Sequence, residues 1–114
     1  MFFKYWTYAT QWPLELHRAI VENSLSDKEV VYATDAIPLL SDTQMAQTLL
    51  LKQLKSDVDD VVSSAIFGLR VLFVTTNVVF SQDVKLQLLS IIKMHANQTI
   101  KTDAKICLDQ FTFQ

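Results

Sequence analysis

The chain has almost none of the residues that punctuate a β-protein. Across 114 positions there is one glycine, Gly68, and there are two prolines, Pro13 and Pro38. A sandwich or barrel of this size needs many tight turns, which draw on Gly, Pro and Asn, whereas helical hairpins close through short polar loops. The scarcity points to an all-α fold. Cys107 is the single cysteine, which excludes an internal disulfide and fits a reducing compartment such as the cytoplasm. Charge of one sign is missing as well. Ten basic and twelve acidic side chains are scattered to a formal net charge of −2, without the Lys/Arg cluster that answers a phosphate backbone, so no nucleic-acid partner is expected. The most apolar stretch, 71–80, is interrupted by Thr75, Thr76 and Asn77 and is too short to span a bilayer, so no membrane partner is expected either. The opening residues 1–6 lack the aliphatic core and small-residue cleavage site of a secretory signal.

What is present is apolar and periodic. Half of the residues are hydrophobic and 19% are charged, enough for a single domain over 1–114 to bury a core without staples. Two stretches, 42–73 and 81–112, superpose without a gap at an offset of 39 residues. Asp42 falls on Ser81, Met45 on Val84, Leu49 and Leu50 on Leu88 and Leu89, Val61 on Ile100, Ala65 on Ala104 and Leu69 on Leu108. A period of that length belongs to helical repeats, in which each unit buries its apolar face against a neighbour.

About six helices in three stacked antiparallel hairpins follow, over roughly 13–40, 42–74 and 81–112. Pro13 opens a first helix running to about Asn23, and Ser26 or Asp27 caps a second that Pro38 ends or kinks. Ser41 with Gln44 forms a capping-box pattern before a third helix, to about Lys55. Asp57 is the expected cap of the fourth, whose Val58, Val61, Val62, Ala65, Ile66, Leu69, Leu72 and Phe73 keep helical spacing. That helix is expected to reach Val74, with a structured loop to Phe80. The β-branched and aromatic residues either side of 75–77 leave a small hairpin as the competing reading. Ser81 caps a fifth helix, expected to be central because its apolar arc is wide, and Asn97 caps a sixth.

Six of the twelve aromatic side chains crowd into residues 1–12: Phe2, Phe3, Tyr5, Trp6, Tyr8 and Trp12. They can cover the open end of a helical stack, or offer Trp6, Tyr8 and Trp12 to a partner as contact area of low entropic cost. Asp57, Asp59 and Asp60 form the densest charge group. They either serve the helix N-terminus or make an acidic edge that docks on a basic protein surface.

Reaction chemistry has little to stand on. His17 and His95 fall in different hairpins outside any metal-ligand spacing, so no metal and no cofactor are expected. Cys107 sits on an apolar helix face without an indicated base, and Gly68, mid-helix, suits close packing better than phosphate binding. Calcium and carboxylate acid–base catalysis are discounted for the aspartates, since EF-hand spacing is absent.

The passage 54–69 resembles a HEAT repeat at its turn and second helix, with Asp57, Val61, Ala65 and Leu69 in the family's positions. Val62 stands where the family carries a basic residue. In the third hairpin Ile100, Lys101, Ala104 and Leu108 match, and Asn97 replaces the turn Asp. The first hairpin, with Asp27, Val31, Ala36 and Leu40, follows the pattern loosely as a degenerate or capping unit. An unrelated α-bundle is the alternative. In size, acidity and lack of catalytic motifs the chain also looks like small helical immunity proteins of bacterial toxin systems. That resemblance implies a noncatalytic inhibitor that meets a toxin domain, for example a nuclease, through Asp57, Asp59, Asp60 and the N-terminal aromatics. The alternative function is a scaffold that holds a peptide or helix near Ser63, Ser64, Lys101 and Lys105. An enzyme with an untypical site around His17 or His95 is a third.

Overall fold

A computed structural model describes residues 26–114. The expected first helix (13–23), His17 and the aromatics Trp6, Tyr8 and Trp12 lie outside the described residues. The rest is all-α: five α-helices, one 3-10 turn and two very short strands.

Helix α1, Asp27–Ala36, starts at Ser26 with a complete capping box. The Ser26 hydroxyl accepts from the Glu29 amide, and the Glu29 carboxylate accepts from the Ser26 amide. Pro38 then converts the chain to a 3-10 turn, Ile37–Leu39. Helix α2, Thr43–Leu54, is capped by Asp42, which accepts from the Met45 amide at 3.0 Å. The cap expected at Ser41 thus falls one residue later. The carboxylate is the better acceptor beside unpaired amides, and Gln44 instead accepts from the side chain of Gln47.

Helix α3, Asp59–Thr76, corrects a second expectation. Its N-cap is Val58, without a side-chain cap, so Asp57 does not cap it. Ser56 takes over part of the turn by accepting from the Val58 amide. At the other end the helix outlasts Val74 and runs to Thr76, with the Thr75 and Thr76 hydroxyls donating to the carbonyls of Val71 and Leu72. Asn77, in the left-handed region at φ 54°, ends it and donates its amide to the Phe73 carbonyl.

The chain leaves Asn77 into strand β1, Val79–Phe80, which pairs in parallel with β2, Thr112–Phe113. The competing hairpin within 71–80 is therefore absent. Phe80 is drawn instead into a ring cluster with Phe73, Phe111 and Phe113, its centroid 4.5 Å from that of Phe111. Between the strands run α4, Gln82–Met94, and α5, Gln98–Gln110, capped by Ser81 and Asn97 as expected.

Helices α2 with α3 and α4 with α5 pack as hairpins, and α3 also packs on α1 and α5. The central helix is therefore α3, with buried residues all along it, and not α4, which buries Val84, Leu88 and Ile91 while Leu86 and Leu89 are exposed. The wide apolar arc of α4 misled because it faces neighbours on one side only. The offset of 39 residues holds for the caps Asp42 and Ser81 and for the buried pairs Leu49/Leu88, Val61/Ile100 and Ala65/Ala104.

Gly68 sets the closest approach in the core. A Cβ there would lie 2.7 Å from a Leu50 methyl and 3.3 Å from Pro38 Cγ. Leu50 is fully buried, so it has nowhere to retreat. Gly68→Ala should lower stability by about 1–3 kcal/mol through overpacking. In a Leu50→Ala background the same substitution should raise stability, since the added methyl fills the vacated space and favours helix. Urea denaturation of the four-member cycle reads both signs, and a Gly68→Ala change of one sign in both backgrounds rejects the contact.

Candidate functional site

One end of the molecule collects helix N-termini. Residues Asp27 and Lys28 of α1 line a surface depression of about 410 Å³ together with Val31, Val58 and Asp60. The start of α3 is thereby placed beside the start of α1. The start of α5 joins them, because Asn97 donates its side-chain amide to Asp59 at 3.2 Å. Helices α1, α3 and α5 thus present their first turns together. The carboxylates that stabilise helix starts, Asp27, Asp59 and Asp60, gather there with the turn residue Asp57.

The four aspartates are not equivalent. Asp59 faces His95, with its Oδ1 3.5 Å from His95 Nε2, while its other oxygen receives Asn97. His95 Nδ1 accepts from the Asn97 backbone amide at 3.0 Å, which leaves Nε2 to carry the proton that points at Asp59. This pairing ties the 55–58 turn to the 95–97 turn and commits Asp59 to the protein itself. Asp57 and Asp60 are exposed and make no ion pair among the described residues. With Asp27, also exposed, they face solvent among the described residues.

A second surface runs along the side of α3 and α5 that faces away from α2 and α4. Phe67 is 61% exposed and Val74 80%, and both line a depression of about 300 Å³ with Arg70, Val71 and Thr75. Ile106, 39 residues after Phe67, is exposed on α5 but lines a different depression. Ser63 is open to solvent on this surface, whereas Ser64 is buried and turned to α1, where its hydroxyl donates to Asp35 and lies 3.5 Å from the Val31 carbonyl. Lys101 and Lys105 fall elsewhere, on the outer side of α5. The exposed Phe67 and Val74 escaped the reading of the sequence. The available signal was an apolar pattern on α3 too wide for its neighbours to cover completely.

Among the described residues, Cys107 is a buried nucleophile-bearing side chain. Burial is the larger influence on the Cys107 thiol and pushes it up to about 12, with Asp103 adding to the rise and Arg70 opposing it, so it stays protonated at neutral pH. His95 is turned to Asp59. Among the described residues, no group of three His, Cys, Asp or Glu side chains is placed to hold a metal ion, and no helix is long and apolar enough to cross a membrane.

Burial raises the Asp35 carboxyl above its ordinary value, and the Ser64 hydroxyl offsets part of the rise. As pH climbs from the ordinary carboxylate range through the raised folded value, the unfolded chain releases this proton first, so Asp35 lowers stability over that window and the loss then levels off. Asp35→Asn, which can still accept from Ser64, should therefore gain on the parent as pH rises from about 3 to about 7. Thermal melts across that range read the difference, and a gap that narrows with rising pH contradicts the assignment. Compared with protein-family models, curated proteins and solved structures, the chain has no match among them.

Proposed function

We propose that this is a noncatalytic protein that works by binding another protein, and specifically that it is an inhibitor of the immunity type, which neutralises a basic toxin domain by direct contact. The observation that carries the reading is the gathering of Asp27, Asp57 and Asp60 at one end of the molecule, exposed and close to the N-termini of α1 and α3. An acidic edge of this kind speeds encounter with a basic surface, such as a nuclease cleft, and disfavours acidic competitors. The HEAT-like scaffold suits the task, because short stacked hairpins hold their turn ends in a fixed row. A cytoplasmic place of action fits the free, buried Cys107.

A scaffold or adaptor role is the second reading, and the exposed Phe67 and Val74 favour it, since unpaired aromatic and aliphatic side chains along a helix face suit a docked peptide. The two readings separate by partner number and by salt dependence.

Affinity capture from the cells that make the protein should return one tight partner. Association of that partner with the Asp57→Asn/Asp60→Asn variant should be slower than with the parent by about tenfold at low salt, and the difference should shrink as salt is added. Stopped-flow or surface-plasmon kinetics measures this. Equal association rates, or several weak partners whose binding depends on Phe67, count against the inhibitor reading.

A further inference from the structure

The internal echo makes the outer side of the α4–α5 hairpin interpretable. On α3, Ser64 looks toward α1, and Phe73, on the opposite side, meets Phe111 at the end of α5 in a tilted ring contact with centroids 5.2 Å apart. Val62 and Ile66 share that α5-facing side by helical spacing, and both are buried, at 1% and 2% exposure. Their counterparts 39 residues on are Lys101 and Lys105. The same row that receives a helix in the middle of the stack is therefore cationic at its outer end.

A face that no further hairpin covers among the described residues is expected to be polar, but this one is only partly polar. Lys101 and Lys105 line a depression of about 330 Å³ together with Ile92 and Ile106. Leu89, one turn before Ile92 on α4, is also exposed, where its counterpart Leu50 is fully buried. Asp109 lies in the depression too and pairs with Lys105 at 3.9 Å, while Lys101 has no ion-pair partner among the described residues.

We propose that this outer face docks an acidic amphipathic α-helix of a partner protein, seated where a further second-row helix of the stack would lie. The equivalent face of α3 already holds a helix, so the geometry suits that shape. The aliphatic residues meet the apolar stripe of the incoming helix. Lys101 and Lys105, four residues apart and about 6 Å from each other along the face, match carboxylates spaced one helical turn apart. This surface is separate from the acidic end and does not depend on the inhibitor reading.

The test uses the full isotope-labelled chain and two synthetic amphipathic peptides with the same leucine stripe, one flanked by glutamates and its twin by lysines. The glutamate peptide should shift the amide resonances of Leu89, Ile92, Lys101 and Ile106, and the lysine peptide should not. Lys101→Glu/Lys105→Glu should weaken binding of the glutamate peptide about tenfold or more, and Asp109→Asn, by releasing Lys105, should strengthen it. Should charge reversal disturb the hairpin, Lys101→Gln/Lys105→Gln reads the same loss. Equal shifts from both peptides, shifts confined to other faces, or concentration-dependent shifts of these residues without peptide, which would mark a second copy as the occupant, each overturn the proposal.

Discussion

Helix α3 must be covered on three sides, and the rest of the structure follows from that constraint. Val61, Val62, Ala65, Ile66, Leu69 and Leu72 are apolar and buried, and with the buried Ser64 and Gly68 they cover about half of the helix circumference. A helix of that pattern is stable in water only when neighbours enclose it. Helix α1 covers one side, α2 a second and α5 a third. Gly68 lets Leu50 and Pro38 come close enough to seal the α1–α2 corner. The side left over carries Phe67 and Val74, which is why large apolar groups meet solvent there.

Apolar contacts hold these helices together without dictating how far each slides along the next, because the hydrophobic effect has no direction. Register comes from a few polar links. Gln53 of α2 donates to Thr34 of α1 in the buried interior, and Gln47 accepts from the Ser81 amide at the start of α4. Ser64 joins α3 to α1, and Asp59 joins the two hairpin turns through His95 and Asn97. A buried amide or hydroxyl left unpaired costs about 1–3 kcal/mol, so each link penalises a slipped arrangement. Among the described residues, every buried side-chain polar atom has a partner. The alignment of helix N-termini that concentrates the aspartates at one end depends on this register.

The two hairpins show how one pattern serves two positions in a stack. Caps and inward-facing positions repeat, because each hairpin closes on itself in the same way. The positions between units do not repeat. Val62 and Ile66 have a neighbour and are aliphatic, whereas Lys101 and Lys105 have none among the described residues and are charged. A cation at Val62 would be buried against α5 without a counter-charge.

Helix class, most helix positions, the caps at Ser26, Ser81 and Asn97, the close packing at Gly68 and the burial of Cys107 were legible in the sequence by itself. These features depend on neighbours within about one or two turns, and local spacing records such neighbours faithfully. The grouping of Asp57, Asp59 and Asp60 was legible as well, but the division of labour among them was not, since it depends on His95, which lies 36 residues from Asp59 along the chain. Only the tertiary structure decided that α3 and not α4 is central, that Phe80 pairs toward Phe113, and that Phe67 and Val74 are left uncovered. Each of these is settled by which helix stands on which side of another. An apolar arc states how much surface must be buried, not which element will bury it.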